Sequence, residues 1–116
     1  MEGIPDLEKI DRVDLILSGH RALLGEIRSN MRRVCVEYLK NEKKMILYFF
    51  YDSPPTQEEL DYDVEGVVSA EMSCDFPQEL HWEERSFVLP YPARIPENGI
   101  NLFRRYEPSP PDEQNN

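Results

Sequence analysis

Two cysteines, two histidines and five glycines are few for a chain of 116 residues, and each scarcity removes a class of chemistry. Cys35 and Cys74 share no short spacing and have no cysteine or histidine neighbours, so neither a zinc site nor a dithiol redox motif is expected. A reducing, cytoplasmic setting follows, with both thiols free and buried. His20 and His81 stand outside any His-Glu-x-x-His spacing, and no nucleophile elbow accompanies them, which argues against zinc and against a Ser-His or Cys-His catalytic pair. The glycines form no loop of the kind that cradles phosphate. No apolar run approaches the length of a membrane span, and no basic-then-apolar leader opens the chain. Positive charge is short as well: 13 Lys and Arg stand against 23 Asp and Glu, a net charge of −10. Such a surface repels nucleic acid and anionic membranes and favours a basic protein partner.

What is present is one folded domain. Hydrophobic residues make up 40% of the chain, 12 side chains are aromatic, and the length suits a single core without a deep enzyme pocket. Leu7, Ile10, Leu17 and Leu24, widened by Val13, predict a helix over 6–24 with Gly19 as its weak point. Alternation over 32–40 predicts a strand with Val34, Val36 and Tyr38 on one face and Arg33, Cys35 and Glu37 on the other. A polar turn at 41–44 leads to the run from Met45 to Tyr51, apolar on both faces and so a central strand of a hairpin. Pro54 and Pro55 stop it. Thr56 and Glu59 form a capping box, predicting a helix to about Cys74 with Leu60, Val64, Val67, Val68 and Met72 against the sheet. Strands follow over 80–89 and 100–106, with Trp82 read as core and not as an exposed anchor.

The order α-β-β-α-β-β implies an α+β fold: a small, mostly antiparallel sheet of three or four strands with two helices packed on it. A helix after a hairpin must cross back over the sheet, which makes the sheet mixed. Residues 1–107 form the domain, and 108–116, devoid of apolar side chains, are expected to be a disordered tail.

Charge is segregated along this order. From Asp52 to Glu84 there are eleven acids and no Lys or Arg, whereas Arg21 to Lys44 holds seven bases against three acids. Helices that stabilise themselves carry i,i+4 Glu–Lys pairs, and the second helix has none. Its acids are either a solvated face or a docking surface for a cationic partner. In the second case the contact residues are Glu58, Glu59, Asp61, Asp63 and Glu65, with Tyr62 as aromatic anchor. Asp61 to Gly66 imitates the first half of a calcium loop, but Met72 stands where the closing bidentate glutamate belongs. No cofactor is called for. The clustered carboxylates show no apolar wall to raise one pKa for acid catalysis. A non-catalytic alternative is an adaptor that pairs weakly with itself through the Met45–Tyr51 strand or an exposed sheet edge.

Three stretches carry a resemblance. Arg21-Ala22-Leu23-Leu24-Gly25-Glu26-Ile27 leads through Asn30 and Arg33 into a strand. Ser69-Ala70-Glu71-Met72-Ser73-Cys74-Asp75-Phe76-Pro77 ends the acidic helix. Leu89-Pro90-Tyr91-Pro92-Ala93-Arg94-Ile95-Pro96 precedes Gly99 and Arg104-Arg105-Tyr106-Glu107. Together, across most of 15–107, the chain resembles immunity proteins of contact-dependent growth inhibition and related polymorphic toxin systems of bacteria. The resemblance implies a cytoplasmic inhibitor that binds and blocks a cognate toxin domain, commonly a nuclease. It brings no catalytic residues, and because the toxin-contacting surface varies within that family it assigns no contact residues.

Overall fold

A computed structural model describes residues 4–108. Its centre is an antiparallel hairpin. Strand β1 (Met31–Leu39) pairs with β2 (Lys44–Tyr51) from Leu39 opposite Lys44 to Met31 opposite Tyr51. A 3-10 turn at Lys40–Glu42 joins them, and Lys43 closes it in the left-handed region at φ 50°. Strand β3 (His81–Val88) lies parallel to β2, and β4 (Ile100–Arg104) antiparallel to β1, giving the order β3-β2-β1-β4. The α+β class and four strands agree with the sequence reading. The helical return after the hairpin makes the β2–β3 pair parallel, so the sheet is mixed.

Both faces of the two interior strands are covered, which is why β2 is apolar on both. On one face Val34, Val36, Met45, Leu47, Phe49 and Tyr51 pack against the helices. On the other, Cys35, Ile46, Tyr48 and Phe50 are covered by Leu89 and Ile95 of the connection from β3 to β4. That connection must pass from one sheet edge to the other, so it straps the second face. Arg33, buried on this side, fastens it by donating to the carbonyls of Pro96 (2.5 Å) and Asn98 (2.7 Å) and to the Asn101 side chain. Gly99 is required at the strap's end: its φ is 72°, and a Cβ would lie 2.8 Å from the Val36 carbonyl oxygen.

The first helix departs from expectation. A 3-10 turn occupies Leu7–Lys9, and helix α1 (Arg12–Leu23) begins only at the reciprocal Asp11–Asp14 capping box. Its inward face is Leu15, Ser18, Gly19, Ala22 and Leu23. Val13, Leu17 and Leu24, expected to be inside, are exposed at 60, 65 and 77%. The cause is close approach. A Cβ on Gly19 would meet Leu102 of β4 at 2.5 Å, so the small residues, and not the largest apolar ones, choose the buried face.

The second helix also differs, being two helices, α2 (Gln57–Tyr62) and α3 (Val64–Ser73). Val64, Val68 and Met72 are buried as expected, but Leu60 is 58% exposed. Trp82 is half-buried and packs its ring on Phe76 at 5.8 Å, in keeping with a core role. Cys35 is buried and its thiol is pushed up to about 11, mainly by burial. Cys74 is exposed, against expectation, because α3 ends at Ser73 and turns that position outward. The Met45–Tyr51 strand is interior, hydrogen-bonded on both sides, so it offers no edge for self-pairing; the sheet edges are β3 and β4. The expected tail over 108–116 lies, Pro108 apart, outside the described residues.

Candidate functional site

Pro54 and Pro55 end β2 and turn the chain toward α2. The Thr56 hydroxyl accepts from the Glu59 N–H at 3.2 Å, and the Glu59 carboxylate accepts from the Thr56 N–H at 2.9 Å. The predicted capping box is therefore present. Two residues beyond Asp61 the chain breaks. Asp63 sits in the left-handed region at φ 57°, ψ 60°. Its N–H closes α2 on the carbonyls of Glu59 and Leu60, and its side chain opens α3 by accepting from the Gly66 N–H at 3.2 Å. Aspartate tolerates this conformation better than most residues. An Asp ahead of an apolar helical stretch is an N-cap signal that an unbroken apolar rhythm hides.

The break decides what α2 presents. None of its residues is buried. Leu60 would have continued the core stripe of a single helix; the change of direction at Asp63 leaves it in solvent beside Tyr62, which is 50% exposed. A six-residue helix with no buried residue is not explained by core packing alone.

The six residues expected to meet a partner are brought together around this corner, in different states. Glu58 and Asp61 are exposed, and among the described residues Asp61 accepts only from Gln57, at 2.8 Å. Glu59 and Asp63 face solvent in part while serving as caps. Tyr62 donates its hydroxyl to Glu26 at 3.0 Å and lies under the Arg28 guanidinium at 5.8 Å, so its position is fixed with half its surface outward. Glu65 turns inward: half-buried, it accepts from the Tyr51 hydroxyl at 2.7 Å. Burial, and next the charges of Glu84 and Asp63, hold its carboxyl above the usual range.

Long-range contacts divide the eleven acids in two. Asp52 pairs with Arg105 at 3.1 Å. Glu71 and Asp75 share Arg21 at 2.8 and 2.9 Å. Glu79 approaches Lys43 at 3.9 Å, and Glu83 meets Lys44 at 3.4 Å and Arg85. Glu58, Glu59, Asp61, Asp63, Glu65 and Glu84 have no ion pair among the described residues. The unpaired set gathers where α2 turns into α3 and passes the middle of β3; Glu84 was not among the expected contact residues.

Between α2 and β3 lies a cleft of about 210 Å³, lined among others by Leu60, Val64, Glu59, Asp63, Glu65 and Ser86. It supplies the apolar wall and the raised carboxyl that the sequence alone did not show. Its volume is below the roughly 300–1,000 Å³ of small-molecule sites, and suits one side chain better than a substrate. Among the described residues no three His, Cys, Asp or Glu side chains gather to hold a metal ion, and no helix is long and apolar enough to cross a membrane.

With this geometry in place, comparison with protein families is decisive at the family level. The model of the MafI2 immunity protein family matches residues 12–107. The chain belongs to the MafI2 immunity protein family. The match runs from the first residue of α1 to Glu107, beyond β4, and so contains α1 to α3, β1 to β4 and all six candidate contact residues. No curated protein matches the chain. Membership in MafI2 brings a toxin-neutralising immunity function, the class that the sequence resemblance implied.

Proposed function

We propose that the protein acts in the cytoplasm by binding its cognate toxin domain through the α2 corner, and that this toxin is basic, of the charge expected of a nuclease. One observation carries the reading. Five carboxylates at 58–65, and Glu84 beside them, lack a cationic partner among the described residues, while acids elsewhere in the same charge run have one. Unpaired like charges repel, and a cationic surface relieves that repulsion on contact. Leu60 and Tyr62 supply the apolar centre that a docking site needs among polar neighbours. Cleft size fits a single lysine or arginine side chain entering beside Glu65. The mode is occlusion by binding, with no catalysis by the immunity protein.

Glu58 and Asp61 give the cleanest test, since neither caps a helix nor contacts the core. In the double variant Glu58→Lys, Asp61→Lys, association with the toxin domain is expected to slow by about tenfold or more at low salt, with a smaller effect at high salt. Unchanged association kinetics, measured by stopped flow across ionic strength, overturn the assignment of this face.

A further inference from the structure

Strand β3 is the longer of the two sheet edges, eight residues against five in β4. The His81 N–H donates to the Lys43 carbonyl at 2.9 Å and the Leu89 N–H to the Tyr51 carbonyl at 2.8 Å. Strand alternation then turns Glu83, Arg85 and Phe87 toward β2 and leaves the backbone N–H and C=O of Trp82, Glu84, Ser86 and Val88 pointing away from the sheet. Among the described residues no backbone group pairs with that outer side. Proteins blunt such an edge with proline, charge, a bulge or a covering element; β3 carries charge at Glu83, Glu84 and Arg85, which selects the sign of an added strand without closing the edge. Here the strand has no proline, keeps an unbroken register with β2 over all eight residues, and leaves Phe87 and Val88 exposed at 43 and 44%.

What lies beside the edge indicates its occupant. The outward residues share the helix face of the sheet, where Ser86 lines the cleft together with Glu59, Asp63 and Glu65, and Glu84 is close enough to Glu65 to raise its carboxyl further. A strand laid along β3 would run past these unpaired acids. A second copy of this chain, itself at −10, would bring like charge to the same place. A cationic strand meets opposite charge there.

We infer that an extended, Lys- or Arg-bearing segment of the toxin adds to the outer edge of β3 and continues the sheet, with its basic side chains directed at Glu84 and the α2 cleft. Main-chain hydrogen bonds to residues 82–88 supply affinity, and the acids choose the sign of the partner. This rests on the toxin-binding reading above, and deepens it by naming the second half of the interface.

The test uses the full chain and its cognate toxin domain, purified in an inactive form. Amide hydrogen exchange of the wild-type complex is expected to protect Trp82, Glu84, Ser86 and Val88, with little change at Glu83, Arg85 and Phe87, whose N–H groups are already bonded to β2. Ser86→Pro removes an outward donor without breaking a β2 bond and places a ring where the added strand would lie. It is expected to weaken binding by at least about tenfold, the upper end of what one ordinary hydrogen bond contributes, because the ring also obstructs the added strand. Exchange at the four outward residues unaltered in the complex overturns the inference, whether or not Ser86→Pro folds. If the Glu58, Asp61 double variant still loses binding in that case, the acidic-face reading stands alone. If instead Ser86→Pro and exchange behave as expected while the double variant binds normally, the edge stands and the α2 assignment fails. Protection of the same four amides in the free protein, rising with its concentration and with a dimer in sedimentation, overturns the toxin as occupant in favour of a second copy.

Discussion

The acids of α2 and those that flank the ends of the sheet come from one charge run, yet they do opposite things. At 71–75, Arg21 of α1 reaches across to Glu71 and Asp75, and Ser18 adds a bond to Asp75 at 2.7 Å. At Asp52 the run is tied to the C-terminal arm, where Arg105 bridges Asp52 and Glu107, and Arg32 holds Glu107 through one guanidinium edge, Nε and Nη2, at 2.6 and 2.7 Å. These carboxylates hold elements together. Around α2, Arg28 lies over the Tyr62 ring but pairs with Glu26 at 3.6 Å, and among the described residues no guanidinium or ammonium forms an ion pair with an α2 carboxylate. The difference teaches that charge density along a sequence does not define a surface; the topology that delivers or withholds counter-charges does.

Removing the most deeply paired acid should give the largest effect. Arg32 is 3% exposed in its side chain and Glu107 17%. Glu107→Ala leaves a buried guanidinium without its partner and is expected to cost about 3–5 kcal/mol, read from urea denaturation. The pH dependence has a definite sign. Arg32 foremost, then Arg105, hold the Glu107 carboxyl below its ordinary 4.5. Its contribution is therefore complete above 4.5 and is lost as pH falls through the lower folded value. Stability of the variant should decline less on acidification than that of the parent.

Arg21→Ala comes next, because one side chain serves two acids and the Glu71 carbonyl. The pairs are solvent-exposed, with side-chain exposures of 44, 52 and 38%, so the loss is expected to be about 1 kcal/mol and to shrink in salt. A cost as large as that of Glu107→Ala would erase the distinction between surface and buried pairing.

Much of this arrangement was legible in the sequence, for identifiable reasons. The hairpin was, because alternation in β1 and the doubly apolar run of β2 are local patterns that burial preserves. The Thr56–Glu59 box was, since capping depends on four consecutive residues. Three matters were not. The face of α1 is selected by Gly19 against Leu102, a contact 83 positions apart in the chain. The break at Asp63 competes with an apolar rhythm, Leu60-Val64-Val68, that reads correctly as helix but conceals the left-handed residue inside it. The partition of the acids depends on Arg21, Arg105 and Lys44 arriving from distant elements, so composition could place an acidic pole in the second half without saying which carboxylates are left over.

Glu65 sharpens the comparison from inside the unpaired set. Its carboxyl is raised above 4.5, by burial first, although the Tyr51 hydroxyl opposes the shift. A raised folded value means that its contribution is complete below 4.5 and is lost as pH climbs through that higher value, the reverse of Glu107. Glu65→Gln keeps an acceptor for Tyr51 and removes the charge. It is expected to stabilise the protein near neutral pH by about 0.5 kcal/mol, the scale of a like-charge contact on a surface, with no gain in acid. A loss of stability at pH 7 would mean that the charge is compensated after all.

The smallest effect expected on the fold is the most informative. Glu58→Lys and Asp61→Lys change four units of charge on a helix with no buried residue and, among the described residues, no ion pair. Surface substitutions of this kind stay within about 0.5 kcal/mol, and relief of repulsion with Glu59, Asp63 and Glu65 should put the change on the stabilising side. An acid retained only for solubility gives the same thermal midpoint and leaves toxin binding alone. An acid retained for a partner gives that midpoint and loses the partner. Thermal unfolding and toxin titration of the same variant therefore separate the two, and a destabilised fold would show that α2 has a structural debt that its exposed side chains do not reveal.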